Sequence, residues 1–160
     1  MEVYSEFEDF DLQLNESAKG FLKETAKWTY FLSILGYIGI GFIVLAAIFA
    51  GAIFGTIGNT MPGEIMGKFG SAFGIIITVV YLLIATLYFF PVYYLNKFST
   101  KLKLALRKND AEILANSFEY LKSHYKYIGI MALVILSFYV LILLGFLIVA
   151  LTIGINLTFL

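Results

Sequence analysis

YIGIMALVILSFYVLILLGFLIVALTIGINLTFL (127–160) contains no Asp, Glu, Lys, Arg or His along its whole length. An α-helix rises 1.5 Å per residue and needs about 20 apolar residues to cross the roughly 30 Å hydrocarbon layer of a bilayer. The stretch exceeds one span, yet two spans of about 17 residues with a turn between them do not fit. No Pro or polar turn interrupts it before Asn156. The run predicts a single membrane helix, about 127–154, followed by a short apolar tail.

Two further stretches upstream are free of ionisable side chains, Trp28–Gly63 and Phe69–Asn96. They predict spans at about 29–57 and 69–96, each long enough to tilt or to reach the headgroups. Composition agrees. The chain has 160 residues, 61% of them apolar and 14% charged, and a mean hydropathy of +0.90. A soluble domain is typically about 45–50% apolar, and a chain this short cannot hide such an excess in one core, so lipid has to serve as its solvent. The predicted fold class is an all-α integral membrane protein with three transmembrane helices. Residues 1–14 read as an acidic N-terminal tail and 15–160 as a single membrane domain.

The eleven basic and eleven acidic residues cancel, which gives no footprint for nucleic acid. Their placement is informative. Lys19, Lys23 and Lys27 precede the first span, and Lys97, Lys101, Lys103, Arg107, Lys108, Lys122 and Lys126 separate the second from the third. Only Lys68 lies between the first two spans. Basic residues concentrate on the cytoplasmic side of short loops, so the N-terminus is expected inside and the C-terminus outside. The first residues are acidic and the first apolar run begins near residue 29, unlike a cleavable secretory signal. Aromatics gather at the same inner boundary: Trp28, Tyr30 and Phe31; Tyr88, Phe89, Phe90, Tyr93 and Tyr94; Tyr120, Tyr125 and Tyr127. Rings with one polar edge favour that level.

Between the spans the pattern is amphipathic. Asn15 is placed to cap a helix in which Ala18, Phe21, Leu22, Thr25, Ala26 and Trp28 recur at helical spacing, with Lys19, Lys23, Glu24 and Lys27 on the other face. That pattern predicts an interfacial helix feeding the first span. Pro91 removes a backbone donor inside the second span and predicts a kink. Asn109 followed by Glu112 reads as an N-cap with its capping-box acid. Segment 97–126 thus predicts a basic cytoplasmic helical hairpin turning near Lys108–Asp110. The loop GNTMPGEIMGKFGSAFG (58–74), rich in Gly with one Pro, reads as a turn-rich connection.

AKWTYFLSILGYIGIGF (26–42), YFFPVYYLNKFS (88–99), ALRKND (105–110) and SFEYLKSHYKYIGI (117–130) together resemble an uncharacterised family of small bacterial membrane proteins. It is a domain-of-unknown-function family of gliding-type and gut-type bacteria. The resemblance covers about residues 12–150 and implies the bacterial inner membrane. It carries no catalytic residue, cofactor or substrate.

Chemistry-bearing motifs are sparse. With no cysteine, disulfides, thiolate metal sites and a thiol nucleophile are excluded. His124 is the single histidine and reads as structural. Ser33, Ser71 and Ser137 have no His or Lys at membrane depth to activate them. No catalytic, cofactor or metal site is expected, and no ionisable group of the kind a proton-coupled carrier places at depth. Ala47, Gly51 and Gly55 stand four apart, as do Gly70 and Gly74. Small residues on one helical face allow close backbone approach, which makes these five the candidate helix-packing positions. Whether they pack within the chain or against another chain is open from sequence.

The expected partners are the lipid bilayer and other membrane chains, copies of itself or different ones. The expected function is a non-enzymatic membrane subunit or scaffold. The alternative is a small oligomeric channel or carrier for an uncharged or lipid-like solute, with Ser33, Thr78, Thr86 and Thr152 as its lining. Residues 2–11 carry five acids and hairpin 97–126 a net charge of +4. Tyr4, Phe7 and Phe10, three apart in the tail, and Lys101, Arg107 and Lys108 in the hairpin are the candidate partner-docking residues.

Overall fold

The computed structural model describes residues 15–60 and 63–158, with positions 59, 64–66, 71 and 153–158 described as backbone only. The tail carrying Tyr4, Phe7 and Phe10 lies outside the described residues. Three helices follow one another: α1 Glu16–Thr60, α2 Glu64–Lys108 and α3 Ala111–Thr158. All three are long and apolar enough to cross a membrane, as expected of a multi-pass membrane protein. At 45 residues each, α1 and α2 run about 68 Å at 1.5 Å per residue.

Each helix begins where the local chemistry supplies a start. Asn15 Oδ1 accepts the Ala18 N–H at 2.8 Å, satisfying one of the orphan donors of the first turn. Segment 15–28 is the opening of α1 rather than a separate element, and its Leu22 and Ala26 pack against Phe98 and Leu102 of α2. Before α2 the chain turns at Gly63, whose φ of +100° suits a residue without a Cβ. The second turn differs from the sequence expectation. Asn109 does not cap α3; it ends α2 in the left-handed conformation, and its N–H donates to the Ala105 carbonyl. Asp110 is the residue that caps α3, its Oδ1 accepting the Ile113 N–H at 3.0 Å. Both residue types cap helix starts, but Asn is also one of the few that enters the left-handed region at low cost.

α2 packs along both α1 and α3, while among the described residues the backbones of α1 and α3 nowhere approach each other closely. The α1–α2 seam is antiparallel. At the charged end Ala26, Phe98 and Leu102 form a buried cluster with Leu106, Leu114, Tyr120 and Leu121 around it. Farther along, Asn96 Nδ2 donates to Ser33 Oγ at 2.9 Å, and Gly36 faces the Val92 side chain.

Beyond the middle, backbone meets backbone. Ala47 is fully buried, and the Thr78 hydroxyl sits 2.9 Å from the Gly74 carbonyl and 3.3 Å from the Ala47 carbonyl across the seam. A Cβ on Gly74 would lie 2.8 Å from the Gly51 carbonyl oxygen and 2.9 Å from the Gly55 nitrogen; one on Gly51 would run into Thr78, and one on Gly70 into the Gly58 backbone. The candidate positions Ala47, Gly51, Gly70 and Gly74 thus lie inside the chain's own hairpin. Gly55 lends its backbone to the contact, but a Cβ there would point into open space.

These contacts assign unequal roles to the glycines. Gly74→Ala is expected to cost about 1–3 kcal/mol, the range for forcing atoms into a packed interface, because its neighbours are backbone and cannot rotate away. Gly51→Leu is expected to be at least as harmful, whereas Ile53→Leu, at an exposed position, and Gly55→Ala are expected to be neutral. Retained helicity during SDS titration of detergent-solubilised protein checks this. Equal stability of Gly74→Ala and Gly55→Ala would contradict the backbone-contact seam.

Candidate functional site

Two polar constellations stand out on this apolar frame, and both are set by α2. The first centres on Pro91. Proline has no N–H, so the carbonyl four residues earlier, at Leu87, loses its intrahelical donor. α2 nevertheless continues through Pro91 as one helix. The orphaned carbonyl finds a donor on α3: Tyr127 Oη lies 3.0 Å from Leu87 O and donates to it. One turn earlier on α3, His124 Nδ1 lies 2.8 Å from the Pro91 carbonyl. A carbonyl only accepts, so Nδ1 carries the proton here. Phe90 and Tyr127 add a ring contact at 5.9 Å.

His124 and Tyr127, three apart and hence on one face of α3, reach the two carbonyls, Pro91 and Leu87, that flank the break in the α2 hydrogen-bond ladder. This latch joins α2 to α3 close to the boundary between apolar and charged sequence. Nearer the turn, Phe98 meets Phe118 at 6.0 Å and Ser117 is fully buried. Beyond the latch the picture changes: every residue of α3 from Ala132 to Thr152 is exposed. The hydroxyls of Ser137 and Thr152 donate to carbonyls of their own helix.

The second constellation is a groove of about 600 Å³ between the charged ends of α1 and α2. Lys19, Lys23 and Lys27 reach it from α1, and Lys103 and Arg107 from α2. Of the hairpin residues singled out in sequence, Arg107 lines this groove, Lys108 is exposed in the last turn of α2, and Lys101 is half-exposed outside it. Sequence reading passed over Lys103 and the three α1 lysines as partners of Arg107. It also passed over the Pro91 latch, although the missing donor at residue 91 marks Leu87 as needing a partner.

Ser33 and Thr78, read as lumen-facing hydroxyls, lie within the α1–α2 seam, bonded to Asn96 and turned toward Ala47 respectively. Among the described residues no three His, Cys, Asp or Glu side chains gather as a metal site would need. Compared with protein-family models, curated proteins and solved structures, the chain matches none.

The latch makes a non-additive expectation. Tyr127→Phe leaves the Leu87 carbonyl unsatisfied and is expected to cost about 1 kcal/mol. Pro91→Ala restores an N–H to that carbonyl. In the Pro91→Ala background the Tyr127→Phe penalty is expected to fall to near zero. A double-mutant cycle read by SDS unfolding measures the coupling, and strictly additive penalties would mean that Tyr127 serves no orphaned carbonyl.

Proposed function

We propose that this chain is a non-enzymatic membrane subunit whose third span docks on further membrane chains, either copies of itself or members of a larger complex. The observation that carries the reading is the uncovered length of α3 from Ala132 to Thr152. Exposure of apolar side chains costs nothing in lipid, and what sets α3 apart is its pairing. In a closed helical bundle each helix packs against its neighbours on two sides, whereas here α2 is packed by both others and, among the described residues, the α1 and α3 backbones do not come close. α3 is fastened near its base by Pro91, His124 and Tyr127, and from Ala132 to Thr152 all its residues are exposed.

The small-residue face is occupied within the hairpin, so association falls to the exposed apolar faces, of which the α3 stretch from Ala132 to Thr152 is the most continuous. The channel alternative draws no support from Ser33 and Thr78, whose hydroxyls are engaged in the seam. That the subunit is non-enzymatic rests on the sequence, which offers no activated nucleophile.

Placement in the bilayer follows from ten basic residues on one side of the spans against one on the other. It puts the N-terminus, the amphipathic opening of α1 and the 97–126 hairpin in the cytoplasm and the C-terminus outside. The bacterial inner membrane follows from the resemblance over 26–42, 88–99, 105–110 and 117–130.

The absence of native cysteine makes both parts accessible to single-cysteine probes. In spheroplasts, Thr60→Cys is expected to react with an impermeant thiol reagent, and Lys103→Cys and Ser123→Cys only after lysis. Reaction of the latter two from outside would reverse the orientation. Along α3, cysteines scanned from Leu133 to Leu151 in native membranes are expected to cross-link or resist alkylation with a period of about 3.6 residues. A flat profile would leave α3 surrounded by lipid alone and sink the docking role.

A further inference from the structure

At the charged end of the α1–α2 hairpin, cations converge from two helices. Lys19, Lys23 and Lys27 recur every four residues and so share a face of α1, while Lys103 and Arg107, also four apart, share a face of α2; the groove of about 600 Å³ lies between them. Glu16 also lines the groove, at its outer end, and engages Lys19 at 3.0 Å. Among the described residues, no carboxylate lies within ion-pair distance of Lys23, Lys27, Lys103 or Arg107. Like charges gathered in one groove repel one another, and an anion between them relieves the repulsion.

The groove does not end in polar surface. A second, open depression on α1 shares Gly20, Lys23 and Lys27 with it and is lined further by Glu24, Trp28 and Phe31. The two rings stand edge-on with centroids 6.1 Å apart, and both are more than half exposed. A Cβ at Gly20 would meet nothing within 4 Å, so the boundary between the cationic groove and the aromatic ledge is open at Gly20, with Lys23 and Lys27 lining both. Lys103 Nζ lies 3.8 Å from the centre of the Tyr30 ring, a cation–π contact that holds this ammonium on the apolar side of the groove. A small inorganic anion would use the cations and leave the ledge empty. An amphiphile uses both.

We propose that the groove binds the phosphate-bearing headgroup of an anionic glycerophospholipid, with the adjoining glycerol and first acyl carbons against Trp28 and Phe31. The inference rests on the bilayer placement proposed above. In that placement Lys27 adjoins the first residue of the uncharged stretch and Lys23 sits about 6 Å farther out. That matches the few ångströms of headgroup layer beyond the hydrocarbon, where basic clusters recruit anionic lipid.

Trp28 is the single tryptophan and therefore reports from the site itself. The full chain is reconstituted into phosphatidylcholine vesicles containing a fixed minor fraction of acyl-brominated lipid, either phosphatidylglycerol or phosphatidylcholine. Brominated phosphatidylglycerol is expected to quench Trp28 about twofold more strongly than brominated phosphatidylcholine, and the excess is expected to shrink as salt rises. The excess is expected to vanish in Lys23→Gln/Lys27→Gln/Lys103→Gln and to persist in Lys122→Gln/Lys126→Gln on α3, with helix content by circular dichroism unchanged in both. Equal quenching by the two lipids, or an excess retained in the triple variant, overturns the headgroup site while leaving the membrane placement intact. Quenching by neither overturns both. Loss of the excess on adding inorganic phosphate, but not chloride of equal ionic strength, assigns the cations to a free anion instead. An excess seen only after deleting residues 2–11 makes the acidic tail the occupant and likewise overturns the proposal.

Discussion

The rest of the fold depends on the absence of Cβ atoms where α1 and α2 cross. Hydrophobic burial does not pair these helices, since large apolar side chains from Phe21 to Leu151 remain exposed along all three. What remains is dispersion between closely packed atoms, which falls away over fractions of an ångström, together with a few polar bonds across the contact. Gly51, Gly58, Gly70 and Gly74 bring main chain to main chain, and the Thr78 hydroxyl bridges between Gly74 and Ala47. Toward the charged end the contact widens, and larger side chains take over at Val92, Phe98 and Leu102. The hairpin is thus held by shape at one end and by a small buried cluster at the other.

α3 is held differently. Besides the apolar contacts of Leu114, Phe118 and Leu121 near the turn, it is fastened by donors brought to a defect in α2, the carbonyl of Leu87 deprived of a partner by Pro91. Such a carbonyl is costly to leave unpaired in an apolar setting, so a single tyrosine placed opposite it selects one register between the helices. The histidine on the next carbonyl group narrows the choice further. Past that point, from Ala132 to Thr152, every residue of α3 is exposed, so the latch is the last set of polar bonds between α3 and α2 before the exposed span.

Much of the architecture was legible because lipid imposes crude rules. Uncharged stretches of sufficient length mark helices, and their flanks show where the apolar sequence ends. The finer features were less so, for identifiable reasons. Asn109 and Asp110 are both capping residues, and their adjacency hides which one ends a helix and which one starts the next. The greater ease with which Asn enters the left-handed region decides it. The spacing of Ala47, Gly51 and Gly55 told which face is small but not what covers it, because a helical period carries no information about its neighbour. Segment 15–28 looked like a surface helix because its apolar face has the same signature whether covered by lipid or by Phe98 and Leu102. The groove was hidden by distance: Lys19 and Lys103 lie far apart in the chain, and a count of basic residues sums them without pairing them.

The glycine seam and the basic groove, at opposite ends of the hairpin, are nonetheless linked. Gly51 is about 42 Å from Lys23 along α1, yet α1 and α2 are rigid rods joined by a short turn at Gly63. A slip of one helical turn at the glycines would therefore move Lys103 and Arg107 by about 5.4 Å against the α1 lysines. It would also part Ser33 from Asn96, leaving an amide buried without its partner. The close backbone contacts at Gly51, Gly70 and Gly74 and the Thr78 hydroxyl between Gly74 and Ala47 oppose such a slip. The register that gathers like charges at one end is therefore enforced by apolar contacts at the other. The hairpin can hold a repulsive cluster open to an external anion because none of its own stability depends on neutralising it.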